Sequence, residues 1–258
     1  MKHARIAWQG GIHRVVVEGA GTLRLADGRT ADAAEAIWLP PVEIGTAFAL
    51  GLNYADHAAE LAFKAPETPL AFLKGPNTFI GHQARTWRPA GVRSMHYECE
   101  LAVVIGREGA DIRREDAYDH VAGYTVANDY AIRDYLENWY RPNLRVKNRD
   151  GCTPIGPWMV DRDDVPDPMA LGLRTRINGR IVQQGTTADM IFDIPALIEY
   201  LSSFMTLSPG DVILTGTPQG LAEVMPGDVV ETEIDSVGCL VNTIVGDEAH
   251  FSQQPHNG

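Results

Sequence analysis

The segment from His96 to Gly106 constrains the fold more than any other part of the chain. Every residue from Leu101 to Ile105 is apolar, and a strand that is apolar on both faces must be covered by packing on both sides. Two acidic residues, Glu98 and Glu100, open the same segment. The sequence therefore predicts a central, doubly covered strand that carries two carboxylates at one end.

Short β-prone segments dominate the first part of the chain. Arg5–Trp8 and Ile12–Glu18 lie on either side of a Gly-Gly pair, and Pro40-Pro41 ends this region. The pattern predicts a small N-terminal β-hairpin lobe over residues 1–44. Residues 45–258 are expected to form one catalytic domain, because a chain of 258 residues buries a single sizeable core.

The best hairpin signal lies between Leu173 and Gln184. Two β-prone stretches flank Asn178-Gly179 there, and an Asn-Gly pair favours a type I′ turn. Pro-Gly-Asp sequences precede two further predicted strands, Val212–Thr215 and Val229–Ile234, as turns that lead into strands.

Helical patterns are few. A short helix is predicted over Tyr54–Phe63, and a second begins after the capping residue Asp193 and extends through Met205, with Phe204 on its buried face. The chain has many strand patterns and no tandem repeat. We therefore expect a β-rich α+β fold with a few short helices.

The two acids of the central strand suggest a cation site. Glu98 and Glu100 are two residues apart, so both carboxylates project from one face while Cys99 points to the other. Neighbouring carboxylates repel each other and are costly to bury unless a cation lies between them. Oxygen ligands favour magnesium, manganese or calcium. Two acids in water at the end of a strand explain the pattern equally well.

Further candidates lie outside this strand. Asp129, at the end of the predicted strand Gly123–Tyr130, is a candidate third ligand, although Asn-Asp pairs more often close a turn. His57 and Glu60 are three residues apart on a predicted helix and share a face, where the carboxylate could orient the imidazole as a general base. An unrelated surface pair is the commoner outcome.

A basic stretch follows Asp129. Its positive residues are Arg133, Arg141, Arg145, Lys147 and Arg149. Arg133 and Lys147 are candidates for binding carboxylate groups of a ligand or for stabilising an enolate. A solvated face of mixed charge is the usual alternative.

The overall charge and the missing motifs exclude several classes of function. A net charge of −12 argues against nucleic acid or an anionic membrane as a partner, because both depend on basic surface. No apolar run approaches the roughly 20 residues that cross a bilayer, and no signal-peptide pattern follows the N-terminus, so a cytoplasmic protein is expected. The three cysteines are widely spaced, which predicts reduced thiols. Thr215-Gly-Thr-Pro lacks the ending of a phosphate-binding loop.

Four longer motifs stand out along the chain: Gly51-Leu-Asn-Tyr-Ala-Asp-His, Phe72-Leu-Lys-Gly-Pro-Asn-Thr, His96-Tyr-Glu-Cys-Glu-Leu and Leu214-Thr-Gly-Thr-Pro. Together they resemble the fumarylacetoacetate hydrolase superfamily. Residues 121–147 and 184–192 narrow the resemblance to the decarboxylase half of the enzymes of 4-hydroxyphenylacetate (homoprotocatechuate) degradation. The resemblance implies a mixed β-sandwich roll that carries a metal site.

The resemblance also implies roles for individual residues. The ligands of Mg2+ or Mn2+ are implied to be Glu98, Glu100 and Asp129. The acid/base pair on a mobile lid corresponds to His57 and Glu60, and the active-site lysine corresponds to Lys147. The groups that hold substrate oxygens correspond to Lys74, Arg133 and Thr217.

The substrate implied is a small anionic 2-oxo acid, 5-oxopent-3-ene-1,2,5-tricarboxylate. Its decarboxylation gives 2-hydroxyhepta-2,4-dienedioate, which is then isomerised to 2-oxohept-3-enedioate. Acylpyruvate hydrolysis and oxaloacetate decarboxylation are alternatives on the same scaffold, and a non-catalytic partner subunit is a further one. The resemblance also implies dimerisation, so we expect a homodimer. Because some relatives fuse two such domains, a mixed dimer with a homologous isomerase-type subunit is the alternative.

Overall fold

The structure, a computed structural model, describes residues 1–19, 21–60, 64, 66–136 and 143–251. In chain order its strands are β1 Lys2–Trp8, β2 Gly11–Glu18, β3 Thr22–Leu25, β4 Thr30–Asp32, β5 Ile37–Leu39, β6 Ala47–Gly51, β7 Leu70–Lys74, β8 Phe79–Ile80, β9 Arg85–Trp87, β10 Met95–His96, β11 Cys99–Ile105, β12 Val121–Asn128, β13 Ala131–Ile132, β14 Thr153–Asp161, β15 Gly172–Ile177, β16 Arg180–Thr186, β17 Val212–Leu214, β18 Val229–Ile234 and β19 Gly238–Val245. Its α-helices are α1 Ala55–Glu60, α2 Leu144–Lys147, α3 Ile194–Ser202 and α4 Asp247–Phe251. Short 3-10 helices cover Pro76–Thr78, Arg114–His120, Arg133–Tyr135, Arg162–Asp164 and Thr187–Asp189.

Two sheets form most of the molecule. The larger has the strand order β4-β3-β2-β1-β14-β12-β11-β17-β6-β7, with β5 beside β1 and β8 beside β14. The smaller has the order β16-β15-β18-β19-β9, and β10 pairs with β13 separately. Most neighbours are antiparallel, but β17 runs parallel to β6, β19 to β9 and β14 to β8. The prediction of a β-rich α+β fold is confirmed.

Strand β11 lies in the interior of the larger sheet, between β12 and β17, and is buried at every residue. Leu101 and Val103 belong to the main core, which includes Leu173 and Leu240 of the smaller sheet. Ala102, between them, packs in a second cluster on the opposite face. The predicted strand with packing on both sides is therefore present.

The first strands extend the larger sheet. β1 pairs with β14 through Lys2 and His3, and the N-terminal strands share their own apolar cluster around Ile6, Leu23 and Trp38. The division into a lobe over residues 1–44 and a domain over 45–258 stays a prediction.

The predicted strand over His96–Gly106 is interrupted. Tyr97 and Glu98 lie between β10 and β11, because the amide of Glu98 donates to the side-chain oxygen of Asn128, 2.9 Å away, in place of a strand partner. The backbone carbonyl of Glu98 still accepts from the amide of Asp129, at 2.9 Å.

The helix predicted after Asp193 is right in position and wrong in length. Asp193 caps α3 by accepting from the amide of Ala196, at 2.9 Å. The helix ends at Ser202 and not at Met205, because the hydroxyls of Ser202 and Ser203 donate to carbonyls of the last turn. Phe204, predicted to be buried, is 59% exposed.

Three other local predictions can be compared with the structure. Asn178 and Gly179 both have positive φ angles, 51° and 79°, as a type I′ turn requires. The predicted helix over Tyr54–Phe63 appears as α1, and residues 61–63 lie outside the described part of the chain. The three cysteines are free, as predicted. None of the helices that the structure describes is long and apolar enough to cross a membrane.

Candidate metal centre

Three carboxylates meet where β11 and β12 pair. Cys99 lies opposite Asn128 and Glu100 opposite Ala127, so Glu98, Glu100 and Asp129 come together at one end of the two strands. One oxygen from each lies within 4.8 Å of the others, and all three residues are buried. We call these three residues the carboxylate triad.

Two lysines and an arginine contact the triad. The ammonium of Lys147 donates to Glu98 and, at 2.9 Å, to the backbone carbonyl of Asp129; it also lies 2.9 Å from Oδ2 of Asp129. Lys74, whose side chain is completely buried, donates to Asp129 and to the carbonyl of Lys147. Arg133 donates from Nη2 to Oε1 of Glu98, at 2.6 Å.

These contacts leave the charge of Glu100 least compensated. Glu98 and Asp129 each have a cationic partner, whereas Glu100 accepts from the amide of Gly216, at 2.7 Å. Burial raises the pKa of Glu100 well above its usual range, and the carboxylates of Asp129 and Glu98 raise it further. The surroundings of Glu100 therefore favour its protonated form more than water does.

Glu98 and Lys147 shift in the opposite sense. Burial alone raises the pKa of Glu98, but Lys147 and Arg133 outweigh it and lower the pKa to about 2. Burial alone lowers the pKa of Lys147, and Asp129 and Glu98 outweigh it, so this pKa is raised. Both groups remain charged at neutral pH.

The donor set fits a hard divalent cation. It consists of three carboxylates without histidine or cysteine, which suits magnesium or manganese. A divalent charge beside Glu100 would also favour the ionised form that its surroundings otherwise disfavour. The triad could therefore hold such an ion.

The predicted acid/base pair lies beside the triad. Nδ1 of His57, on α1, is 3.3 Å from Oε2 of Glu60. The other oxygen of Glu60 accepts from the amides of Gly220 and Leu221, at 3.1 and 3.2 Å. His57 is buried and lies close enough to Glu98 to contribute to lowering its pKa. The spacing of the two residues on a helix thus predicts their contact correctly.

The basic stretch after Asp129 does not form one surface. Arg133 and Lys147 point to the triad, whereas Arg145 lies 3.9 Å from the ring centre of Tyr135. Arg149 donates to the carbonyl of Trp87, at 3.2 Å. Arg141 lies outside the described residues.

Two residues that contact predicted site residues are not predicted from the sequence. His96 accepts from Nε of Arg133, at 3.3 Å, and its Nε2 lies 3.1 Å from Glu223. Gln183, in β16, donates from its amide to the hydroxyl of Thr217, at 3.0 Å. A partly buried histidine or a buried glutamine has no distinctive pattern in a sequence, so only the pairing of the sheets reveals them.

Comparison with known proteins identifies relatives over most of the chain. The family model described as fumarylacetoacetate (FAA) hydrolase C-terminal matches residues 46–245. The chain is 63% identical over 205 residues to the 4-hydroxyphenylacetate degradation bifunctional isomerase/decarboxylase of Salmonella dublin. The aligned region covers 80% of this chain and 48% of that protein. The chain thus spans about half the length of that relative.

Two solved structures are similar as well. The 5-carboxymethyl-2-hydroxymuconate delta-isomerase from Mycobacterium smegmatis matches with a TM-score of 0.84 and 37% identity, covering 96% of this chain and 99% of that one. The fumarylpyruvate hydrolase from Pseudomonas aeruginosa, in complex with Mn2+ and pyruvate, matches with a TM-score of 0.74 and 30% identity, covering 80% and 91%.

Proposed function

Because the chain belongs to the fumarylacetoacetate hydrolase family, we propose that it is a divalent-metal-dependent carbon-carbon lyase with isomerase activity. Its substrate would be 5-oxopent-3-ene-1,2,5-tricarboxylate, and its product 2-oxohept-3-enedioate, in 4-hydroxyphenylacetate breakdown. The observation that carries this proposal is the buried carboxylate triad with Lys147 and Arg133 bound to it. It combines a site for Mg2+ or Mn2+ with positive groups for an anionic 2-oxo acid.

The carboxylate triad and the positive side chains around it would bind different parts of the substrate. A divalent ion held by Glu98, Glu100 and Asp129 would act as a Lewis acid that draws electron density toward the 2-oxo oxygen. Arg133, which is 16% exposed at its side chain, would bind a carboxylate of the substrate. Lys74 is fully enclosed between Asp129 and the carbonyl of Lys147, so its contribution would be to orient Asp129.

Decarboxylation requires that negative charge be stabilised away from the bond that breaks. When carbon dioxide leaves, the electron pair of that bond moves through the conjugated chain to the 2-oxo oxygen. The ammonium of Lys147, which stays protonated because of Asp129 and Glu98, would stabilise this oxygen. The burial of the triad limits competing solvation by water.

Isomerisation then requires the transfer of one proton. The 2-hydroxy group of the dienol loses its proton, and a carbon of the chain gains one, so the double bonds shift toward the ketone. Glu60 contacts Nδ1 of His57, which leaves Nε2 to carry the transferred proton. The two backbone amides that donate to Glu60 hold its carboxylate beside His57.

Acylpyruvate hydrolysis is the second candidate. It is favoured by the structural similarity to fumarylpyruvate hydrolase, because the same histidine and glutamate could activate a water molecule. We also infer that the chain forms a homodimer, with a homologous isomerase-type subunit as the alternative partner, since the curated relative is about twice as long.

The deciding experiment compares the two reactions on the purified chain. Prepared 5-oxopent-3-ene-1,2,5-tricarboxylate is incubated with Mg2+ or with EDTA, and carbon dioxide release is followed beside an acylpyruvate control. We expect Mg2+-dependent release, absent in Glu98→Gln and retained in the surface variant Glu115→Gln. Cleavage of the acylpyruvate without carbon dioxide release would favour the hydrolase. Activity of Glu98→Gln equal to that of the wild-type protein would show that the reaction does not need the triad.

A further inference from the structure

Gln183 lies in the smaller sheet, and its side-chain amide reaches the segment that follows β17. The residue is only 2% exposed. Its Oε1 accepts from the hydroxyl of Thr175, at 2.9 Å, and its Nε2 donates to Pro218 O, at 2.9 Å, and to Thr217 Oγ1, at 3.0 Å. A carbonyl oxygen can only accept, so Pro218 fixes which end of the amide faces this segment.

The orientation of this amide determines whether the hydroxyl of Thr217 can donate a hydrogen bond to a ligand. A hydroxyl carries one proton and two lone pairs, and Gln183 donates to one of the lone pairs. Among the hydrogen bonds of the described residues, the hydroxyl of Thr217 donates none. Its proton is therefore available for a ligand.

Thr217 is placed beside the triad by its neighbour. The amide of Gly216 donates to Oε2 of Glu100, at 2.7 Å, so the hydroxyl of Thr217 belongs to the segment that borders this carboxylate. We propose that Gln183 is a positioning residue that holds Thr217 as a hydrogen bond donor to a carboxylate oxygen of the bound 2-oxo acid. This inference rests on the proposed function, which places the substrate at the triad.

The same segment is held at its other end. Gly220 has a φ of +103°, and a Cβ there would meet Cα of Gln183 at 3.3 Å. The hydroxyl of Tyr97 donates to the carbonyl of Gly220, whose amide donates to Glu60. Gln183 is therefore in contact with both ends of a short segment that touches the triad and the acid/base pair.

The test uses a double-mutant cycle between Gln183 and Thr217. Gln183→Met preserves the length of the side chain and removes its donor and acceptor, and Thr217→Val removes the hydroxyl. Gln184→Met, at the exposed neighbouring position, is the matched control. The first readout is oxalate binding to the Mg2+-loaded protein by calorimetry, because oxalate offers a carboxylate without any reaction.

We expect Gln183→Met to weaken oxalate binding about tenfold in the wild-type background and less than twofold in the Thr217→Val background. Mg2+ affinity without oxalate should stay within twofold. With the tricarboxylate substrate, KM should rise about tenfold and kcat change less than threefold, since the carboxylate is bound equally before and during the reaction. Thr217→Ser should restore oxalate affinity.

If Gln183→Met does not fold, Gln183→Glu replaces it. Its carboxylate keeps the acceptor for Thr175 and takes the proton of Thr217, so it should weaken oxalate binding in the same Thr217-dependent way. Equal weakening in both backgrounds, no weakening, or no binding of oxalate to the wild-type protein would overturn the inference. The expected oxalate cycle without carbon dioxide release from the tricarboxylate would reject the proposed reaction alone.

Discussion

The ammonium nitrogen of Lys147 lies 2.9 Å from Oδ2 of Asp129, inside the carboxylate triad. The same group donates to Glu98. A metal ion and the lysine would therefore act on the same two carboxylates, which means that the lysine both supports the reaction and competes electrostatically with the ion.

Lys147→Met separates these two effects. Removing one positive charge leaves the triad more negative, so Mg2+ should bind at least tenfold more tightly, as measured by calorimetry. Turnover should fall at least a hundredfold, because the group that stabilises the developing oxyanion is lost. The exposed variant Lys64→Met serves as the control for charge. Loss of Mg2+ binding in Lys147→Met would show instead that the lysine holds the carboxylates in place.

The geometry of the triad could be predicted to a large extent because strands have a simple period. A spacing of two places Glu98 and Glu100 on one face, and this holds although β11 begins only at Cys99. That interruption depends on the side chain of Asn128, which belongs to the neighbouring strand. The sequence cannot indicate such a bond, because its two partners are 30 residues apart.

The contacts that position the site were harder to predict for the same reason. Gln183 lies in β16 of the smaller sheet, and Thr217, 34 residues further along the chain, lies in the segment that follows β17 of the larger sheet. Gln183 is the only buried residue of β16, and a buried glutamine predicts only that its amide has partners. The identity of those partners is a property of how the two sheets pack.

Metal affinity should depend on pH through Glu100. Its pKa is raised by burial and by Asp129 and Glu98, whereas a bound cation favours the ionised carboxylate. We expect proton release on Mg2+ binding, detected as calorimetric heats that vary with the ionisation enthalpy of the buffer. Affinity should weaken as the pH falls.

The same shift has a consequence for stability. A carboxyl whose pKa is raised by folding favours the folded state when protonated, and this contribution is lost as the pH rises. The increase in Tm caused by Mg2+ should therefore grow with pH, and Glu100→Gln should reduce that growth. A Tm increase independent of pH in the wild-type protein would contradict this assignment.

His57→Ala should block proton transfer while leaving the triad intact. His57 contacts Glu60 and is not one of the three clustered acids, so Mg2+ affinity should change less than threefold. Isomerisation should fall at least a hundredfold, and the 2-hydroxydienedioate should accumulate, followed by its ultraviolet absorbance. Glu60→Gln should show a smaller loss of the same step. If Mg2+ affinity collapses in His57→Ala, the histidine is a ligand or a structural residue.

His82 should make the stability of the fold depend on pH independently of the triad. Its ring packs against Trp38 of the N-terminal strands, with ring centres 5.3 Å apart, and its Nδ1 accepts from the amide of Val241, at 3.1 Å. Burial lowers the pKa of His82 from 6.5 to about 4. The unfolded chain therefore binds the proton more readily between these two values, so the free energy of unfolding falls as the pH drops through them. The loss approaches about 3 kcal/mol, at roughly 1.36 kcal/mol per pKa unit.

In His82→Asn the side-chain oxygen can still accept from Val241 but does not titrate. Urea unfolding at pH 7 and pH 4 should show a smaller loss in this variant than in the wild-type protein, by about 2 to 3 kcal/mol. Equal losses in the two proteins would mean that protonation of His82 is not linked to folding.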